Sequence, residues 1–308
     1  MLKNIQMGLI HQELVNKPIL DFSSKIKAEL DSLNLETKIN PGDRVAITAG
    51  SRGINNIDKI IKILIEYIKS LNANPFIFPA MGSHGGATAE GQIKILQDYG
   101  ISEESMDVPI MATMEVKEFI KTKEGLSIYI DKIALEADHI IVVNRIKPHT
   151  KWKGSIESGL CKMMAIGMGK HIGAQYYHKY ALQYGFPELL EIVAQNVIEK
   201  LPILFGLAIV EDGHDQTSMI EAIEPTNIIE KEKKLLLIAK DNLPKIPFED
   251  IDILIIDEIG KEISGGGMDF NVIGRNRDIM NRWHSEQKVK RLFVRDITEN
   301  SMGNGIGI

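Results

Sequence analysis

The sequence predicts an α/β protein of two domains with mostly parallel sheets and a site in the cleft between them, and two observations support this prediction. Short apolar runs of strand length alternate with segments whose apolar residues recur at helical spacing, a pattern typical of β-α units. Several of these runs end in glycine-containing loops, where such folds bind ligands.

The first two units show the pattern most clearly. Residues 44–50 form an apolar run that ends in glycine, and apolar side chains then recur at helical spacing over residues 57–71. Residues 75–80 form the next run, a glycine-rich loop follows at 81–86, and Thr88 is placed to cap the helix after it. We therefore expect strand, loop and helix twice in succession.

Five further apolar runs, each bounded by polar residues or glycine, are predicted as strands. They lie at residues 108–111, 139–146, 205–210, 235–239 and 251–256. A helical pattern near residues 188–199 lies among them. Strands that alternate with helices in this way form a mostly parallel sheet.

The length of 308 residues fits roughly two domains of ~150 residues each. Pro244 and Pro247 lie close together, and the run after them is typical of the first strand of a new unit. We expect an N-terminal α/β domain at 1–245 that carries most of the site and the start of a C-terminal α/β domain at 246–308. The last residues are rich in glycine and apolar, so we expect this second domain to be incomplete.

Composition excludes several classes of protein. With a net charge of −6, 44% hydrophobic and 25% charged residues, nucleic acid is disfavoured as a partner. No apolar run approaches the ~20 residues that cross a bilayer and no signal peptide begins the chain, so we expect a cytoplasmic protein. The single cysteine, Cys161, excludes an intrachain disulfide and a multi-thiolate metal site. A homo-oligomer remains open.

Two loops after the first two predicted strands carry polar candidates. Ser51 and Arg52 follow the first strand, where a guanidinium could bind a carboxylate or phosphate through two hydrogen bonds; a solvated arginine is the alternative. Gly82, Ser83 and His84 precede a helix, where glycine allows a ligand close to the backbone. His84 suits acid–base chemistry near neutral pH, and the alternative is a role in capping the turn.

The densest polar cluster follows the strand at 139–146 and runs from Lys147 through His149 to Lys162. The glycine spacing at 154–159 is that of a phosphate-binding P-loop, but Leu-Cys-Lys stands where Lys-Ser or Lys-Thr is required, so we reject a P-loop. Lys162 has apolar neighbours, which could depress its pKa and make it an amine nucleophile or covalent anchor. The alternative is a lysine that reaches solvent from an amphipathic surface.

His171 and His178 lie seven residues apart, about two helical turns, so both imidazoles could share one face of a helix. Two histidines alone do not make a metal site. Any metal would therefore need further ligands from carboxylates or from a cofactor.

Taken together, these motifs resemble those of the nickel-pincer lactate racemase family, in the same order, from about residue 40 to 300. The motifs are Ser51-Arg52, Gly82-Ser83-His84, Lys147-Pro148-His149, Gly159-Leu160-Cys161-Lys162 and His178. The 16-residue step from Lys162 to His178 is similar to the family's step from lysine to metal ligand, which selects His178 over His171.

The resemblance implies a racemase or epimerase of a 2-hydroxy acid with a nickel-pincer nucleotide as cofactor. In this family a pyridinium-3-thioamide-5-thiocarboxylic acid mononucleotide holds nickel, and here it would be attached covalently to Lys162. His178 would supply the remaining nickel ligand, since thio ligands plus imidazole in a square-planar arrangement suit Ni(II). Cofactor-biosynthesis proteins would then be partners of this chain.

The same resemblance assigns roles to the other candidates. His84 and His149 would be the two general acid–bases, one on each face of the substrate, while the C2 hydride passes to the cofactor. Arg52 would bind the substrate carboxylate or the cofactor phosphate. Ser51, Gly82 and Ser83 would lie at the cofactor.

Two departures from the family pattern bear on the substrate. The stretch from His149 to Lys162 is a few residues longer than usual and ends in Gly-Leu-Cys-Lys instead of Gly-Gly-Arg/Pro-Lys. In the second domain, Asp269 matches the family motif and is expected at the substrate, but Gly274 and Arg277 stand where lactate racemases have Gln and Lys. We expect substrate binding by Arg277 and a larger or dicarboxylic 2-hydroxy acid in place of lactate.

Two other functions remain open at this point. One is a nicotinamide-dependent hydroxyacid dehydrogenase, although no Gly-x-Gly-x-x-Gly turn follows an early strand. The other is a non-catalytic homologue that binds a small anion or a nucleotide.

Overall fold

The computed structural model describes residues 7–150, 152–260, 262–265, 267–274, 288–301, 303 and 305. Its helices are α1 (Phe22–Asp31), α2 (Ile57–Ser70), α3 (Ala89–Asp98), α4 (Glu103–Met106), α5 (Leu160–Lys162), α6 (Lys170–Tyr184), α7 (Phe186–Lys200), α8 (Ile228–Asn242) and α9 (Phe270–Ile273). Its strands are β1 (Arg44–Ala49), β2 (Asn74–Pro79), β3 (Val116–Lys121), β4 (Ser127–Asp131), β5 (His139–Arg145), β6 (Ile203–Glu211), β7 (Thr217–Ile223), β8 (Asp250–Ile259) and β9 (Lys288–Ile297). Among these helices, none is both long and apolar enough to reach across a bilayer.

The central sheet has the strand order β2-β1-β5-β6-β7. β1 pairs in parallel with both β2 and β5, β5 pairs in parallel with β6, and only β7 runs antiparallel to its neighbour. The predicted α/β class with a mostly parallel sheet is confirmed. β1 lies between β2 and β5, so the order of the strands along the chain reverses its direction at β1. Such a reversal opens a crevice at the carboxyl ends of the strands.

Each face of the central sheet is covered by its own apolar core. Along β1, Val45 and Ile47 point into the core that contains α1 and α2, while Ala46 points into the core that contains α7 and α8. Strands that bury both faces are apolar throughout, which is why β1, β5 and β6 read as continuous apolar runs in the sequence.

Two of the predicted strands are wrong. Residues 108–111 make only a single bridge, Ile77 to Ile110, because Pro109 has no N–H to continue a ladder. Residues 235–239 lie inside α8, whose buried residues recur at helical spacing. Three consecutive leucines conceal that periodicity, since only two of them are buried.

Strands β8 and β9 form a separate parallel pair. A small core of their own, with Ile259 and Phe270 among its buried members, covers one side of that pair. The predicted domain boundary at 245/246 stays a prediction, and this pair begins just after it.

A buried ion pair connects α6 and the β3–β4 hairpin to the end of β2 and to α3. Lys170, the first residue of α6, lies 3.0 Å from Asp131 at the end of β4, and both side chains are fully buried. The Lys170 ammonium also donates hydrogen bonds to the carbonyl of Pro79 and to Oε1 of Gln92, the latter at 3.0 Å. Three separate elements therefore meet at one ammonium group.

Replacement of Lys170 by methionine tests how much this ion pair contributes to the stability of the fold. Lys170→Met leaves the Asp131 carboxyl buried without its counter-charge, so we expect the free energy of unfolding to fall by about 3–5 kcal/mol in urea titrations. Lys233→Met is the matched control, because its pairs with Glu191 and Glu230 are partly exposed and should contribute less than about 1 kcal/mol. Equal losses in the two variants would contradict the assignment.

Candidate active site

The loops after β1, β2 and β5 surround a cavity of about 320 Å³ at the crevice between β1 and β5. Most of the residues predicted for the site line this cavity: Ser51, Arg52, Ser83, His84, His149, Lys162 and His178. A second cavity of about 500 Å³ shares Arg52, His149 and Lys162 with the first, so the two are parts of one cleft.

Ser51 and His84 come from neighbouring loops and contact each other. The Ser51 hydroxyl and the Nδ1 atom of His84 share a hydrogen bond. The Tyr99 hydroxyl donates to the Ser51 carbonyl at 2.9 Å, which fixes the serine from the other side. The contact with Ser51 therefore fixes the His84 ring at Nδ1, and His84 lines the cavity.

The loop that carries His84 is fixed from beneath by Gln92. The Gln92 side chain is buried and donates to the carbonyls of Gly82 and His84 at 3.1 and 3.2 Å, while Lys170 holds its other end. Gly82 has φ +59°, and a Cβ atom there would lie 3.1 Å from the Ile166 side chain. Glycine is therefore favoured at position 82, because a side chain there would strain the backbone and crowd Ile166. His84 follows two residues later and lines the cavity.

A row of aromatic rings links His149 to His178. The His149 and Trp152 rings stack within 16° of parallel, and Trp152 stacks in turn on Phe186, with ring centroids 4.1 Å apart. The edge of Phe186 meets His178, with centroids 4.9 Å apart. Both imidazoles are thereby held against a buried apolar wall while they line the cavity.

Lys162 ends the short helix α5, which continues as a π-helical turn over Met163–Gly167. The buried carboxyl of Glu232 accepts a hydrogen bond from the Cys161 N–H at 2.8 Å, and a Cβ at Gly159 would lie 2.4 Å from that carboxyl. Burial raises the pKa of Glu232 to about 7. These contacts of Glu232 therefore fix the start of α5, the helix that carries Lys162.

The amino group of Lys162 is the most perturbed cation of the site. Burial, together with the positive charges of Arg52 and Lys147, lowers the pKa of Lys162 to about 7. The side chain is half-buried because it faces the cavity, and its Nζ lies 5.0 Å from the centroid of the Trp152 ring. Near neutral pH a large fraction of this amine is uncharged and can act as a nucleophile.

The cations of the cleft fall into two groups. Arg145 pairs with Glu211, whose other oxygen accepts from the Asn55 N–H at 2.8 Å, so this pair joins loops. Within the described residues, Arg52 and Lys147 have no carboxylate within 4.0 Å. Burial and the charge of Arg145 lower the pKa of Lys147, while more distant carboxylates, Glu211 among them, act in the opposite direction. Cations without a direct ion pair in a cleft favour an anionic ligand.

Some residues considered from the sequence do not line the cavity. Gly82 supports the His84 loop without lining the cavity, and His171, which shares α6 with His178, is also absent from the lining. Asp269 caps α9, where its carboxylate accepts from the N–H of Asn271 at 2.9 Å. Arg277 lies outside the described residues. The roles assigned to these residues therefore stay predictions.

Several residues of the site were not assigned a role from the sequence. Lys147 follows β5 just as Arg52 follows β1, and that position at a strand end is a signal that could have identified it. Trp152 lies in the dense polar cluster, but its contact with Phe186 joins distant parts of the chain and leaves no sequence signal. Glu232 is likewise brought to the site only by the packing of α8.

The described side chains alone do not form a metal site, since no group of three His, Cys, Asp or Glu residues among them could hold an ion. Within this part of the chain, a metal at His178 would need further ligands, which a cofactor could supply. What the cleft does combine is two imidazoles for proton transfer, an amine nucleophile and two cations for an anionic group.

Comparison with known proteins bears on the fold and on the family of this chain. The lactate racemase apoprotein from Thermoanaerobacterium thermosaccharolyticum has the same fold, with a TM-score of 0.55 at 13% sequence identity. The match covers 83% of this chain and 63% of that one, so the chain spans less than two thirds of that lactate racemase. No curated protein gives a significant sequence match. A family model described as the lactate racemase N-terminal domain matches residues 5–184, more than half of the chain, and the protein therefore belongs to this family.

Proposed function

We propose that this protein is a racemase or epimerase of a 2-hydroxy acid and that it works with a nickel-pincer nucleotide attached to Lys162. The observation that carries the proposal is the convergence of His84, His149, Lys162 and His178 on one cavity. Membership of the lactate racemase family supports it.

The chain's own residues fit such a cofactor. The lowered pKa of Lys162 supplies an uncharged amine for attachment, and His178 lines the same cavity as the single imidazole ligand that a pincer complex leaves to the protein. Arg52 and Lys147 would compensate the charge of a phosphate or carboxylate group. When bound, the nucleotide would accept a hydride from C2 of the substrate and return it.

Two histidines on different loops provide the proton chemistry that inversion needs. One of the two, His84 or His149, takes the proton from the 2-hydroxyl group as a general base. When the hydride returns to the other face of C2 of the flat 2-oxo acid, the other histidine gives a proton back to the oxygen. Ser51 orients the His84 ring through Nδ1, and Arg52 holds the carboxylate so that the substrate stays in place. A single acid–base would serve only one stereoisomer.

We further propose that the substrate is larger than lactate or dicarboxylic. Gly274 and Arg277 stand where lactate racemases have Gln and Lys. A glycine would leave more room for the substrate, and an arginine would favour binding of a carboxylate through two hydrogen bonds. Lys147, the second cation of the cleft without a direct ion pair among the described residues, supports the same substrate class. Proteins that synthesise and attach the nucleotide are the proposed partners, and the cytoplasm is the proposed location.

Stereochemical turnover tests the function. Protein co-expressed with the cofactor-making enzymes should interconvert the enantiomers of at least one acid in a panel of 2-hydroxy mono- and dicarboxylic acids, measured by chiral chromatography. His84→Ala and His149→Ala should each slow inversion by about 10²–10⁴-fold, because each removes one acid–base group. His139→Ala is the control, since His139 pairs with Asp43 at the other end of β5.

Other outcomes of this assay point to other functions. Inversion at the unchanged rate in His149→Ala would overturn the role of His149. Oxidation that depends on NAD would indicate a dehydrogenase. Binding of the acids without any turnover by the loaded protein would indicate the non-catalytic homologue.

The reactivity of Lys162 gives a second prediction that needs no cofactor. Because only the uncharged amine reacts, acetylation of Lys162 by limiting acetic anhydride should rise through pH 7, as measured by peptide mass spectrometry. Arg52→Gln removes a positive charge that disfavours protonation, so the pKa of Lys162 should rise and its acetylation at pH 7 should fall. A half-maximal rate near pH 10.5 in the unchanged protein would contradict this account.

A further inference from the structure

The loop between β5 and α5 is closed at its base. The backbones of Lys147 and Ser158 exchange two hydrogen bonds, from Lys147 N to Ser158 O at 2.9 Å and from Ser158 N to Lys147 O at 3.2 Å. His149 lies just inside this closure and Lys162 just beyond it. The loop is also the stretch that departs in length from the family pattern.

A buried carboxylate lies at the centre of this closed loop. Glu157 is fully buried, and its Oε2 accepts a hydrogen bond from the His149 N–H at 2.6 Å. Its Oε1 lies 2.7 Å from the Lys240 ammonium and accepts from the Gly154 N–H at 3.2 Å. Glu157 therefore connects the backbone of His149 to α8, on the far side of the loop.

Two further contacts hold His149 in place. The Asn271 amide donates to the His149 carbonyl at 3.3 Å, so both backbone polar groups of His149 are engaged. Trp152, which is only 5% exposed, stacks against the imidazole ring. Backbone and ring are thus fixed independently.

We propose that Glu157, anchored by Lys240, is the positioning residue that holds His149 for proton transfer at the substrate hydroxyl. The proposal rests on the acid–base role proposed for His149. Glu157 is not itself a catalytic residue, because its carboxylate does not line the cavity. Its contribution follows from geometry, since a displacement of about 1 Å in an acid–base group can cost about 100-fold in rate.

The test begins with the protein without cofactor, so that it does not depend on turnover. The chain has two tryptophans, and Trp283→Phe leaves Trp152 as the only indole reporter of the stack on His149. In this background we expect Glu157→Ala to shift the Trp152 emission to longer wavelength. Exchange of the His149 amide hydrogen, followed by NMR, should become at least ~10-fold faster because its acceptor is lost.

Glu157→Gln should restore both signals in part, because its amide oxygen still accepts from the His149 N–H, while its NH2 group cannot accept from Gly154 or pair with Lys240. Glu191→Ala is the matched control, since Glu191 pairs with Lys233 of the same helix α8 at 2.8 Å but makes no contact with this loop. Unchanged emission and exchange in a folded Glu157→Ala, or equal changes in Glu191→Ala, would overturn the proposal.

If Glu157→Ala does not fold, Lys240→Met decides the question. This variant removes the ion pair with Glu157 and the hydrogen bond from Lys240 to the Gly154 carbonyl, but it leaves Glu157 and the nearby Lys153 in place. A smaller change of the same sign in emission and amide exchange supports the proposal, and no change refutes it. In protein that carries the cofactor, Glu157→Ala should lower kcat by about 100-fold with KM within twofold. An inactive unmodified protein would count against the proposed function and leave the loop measurements to decide this inference.

Discussion

Strands β1 and β5 lie side by side in parallel, and the chain leaves their carboxyl ends toward opposite faces of the sheet. This arrangement opens the crevice on which the whole site depends. The loop after β1 brings Ser51 and Arg52, and the loop after β5 brings His149 and Lys162. The loop after β2 adds His84, which Gln92 and the buried Lys170 hold in place.

The cations of the cleft differ in whether they form ion pairs. Arg145 with Glu211 and Lys240 with Glu157 form ion pairs that fix loops. Arg52, Lys147 and Lys162 have no such carboxylate among the described residues and repel one another, which is part of why Lys162 has a lowered pKa. An anionic group on a ligand would relieve that repulsion, so the same electrostatics prepare Lys162 for attachment and the cleft for an acid.

Local signals in the sequence predict much of the fold and of the site, but they miss the contacts that depend on packing between distant segments. The strand-loop-helix units at β1 and β2 and the cap at Thr88 are confirmed, because glycine, helical periodicity and capping act within a few residues. The hairpin of β3 and β4 was not predicted, since β3 is only partly buried and its apolar residues do not form a run. Glu157 and Glu232 could not be identified, because the contacts of Glu157 with Lys240 and of Glu232 with Cys161 join segments that are far apart in the sequence.

The proposed chemistry depends on the attachment of a nucleotide to Lys162. Peptide mass mapping after co-expression with the cofactor-making enzymes, together with nickel analysis of the purified protein, tests this attachment. We expect an adduct of nucleotide mass on the peptide that contains Lys162 and one nickel per modified chain, both lost in Lys162→Arg. An unmodified Lys162 peptide and no nickel under those conditions would contradict it.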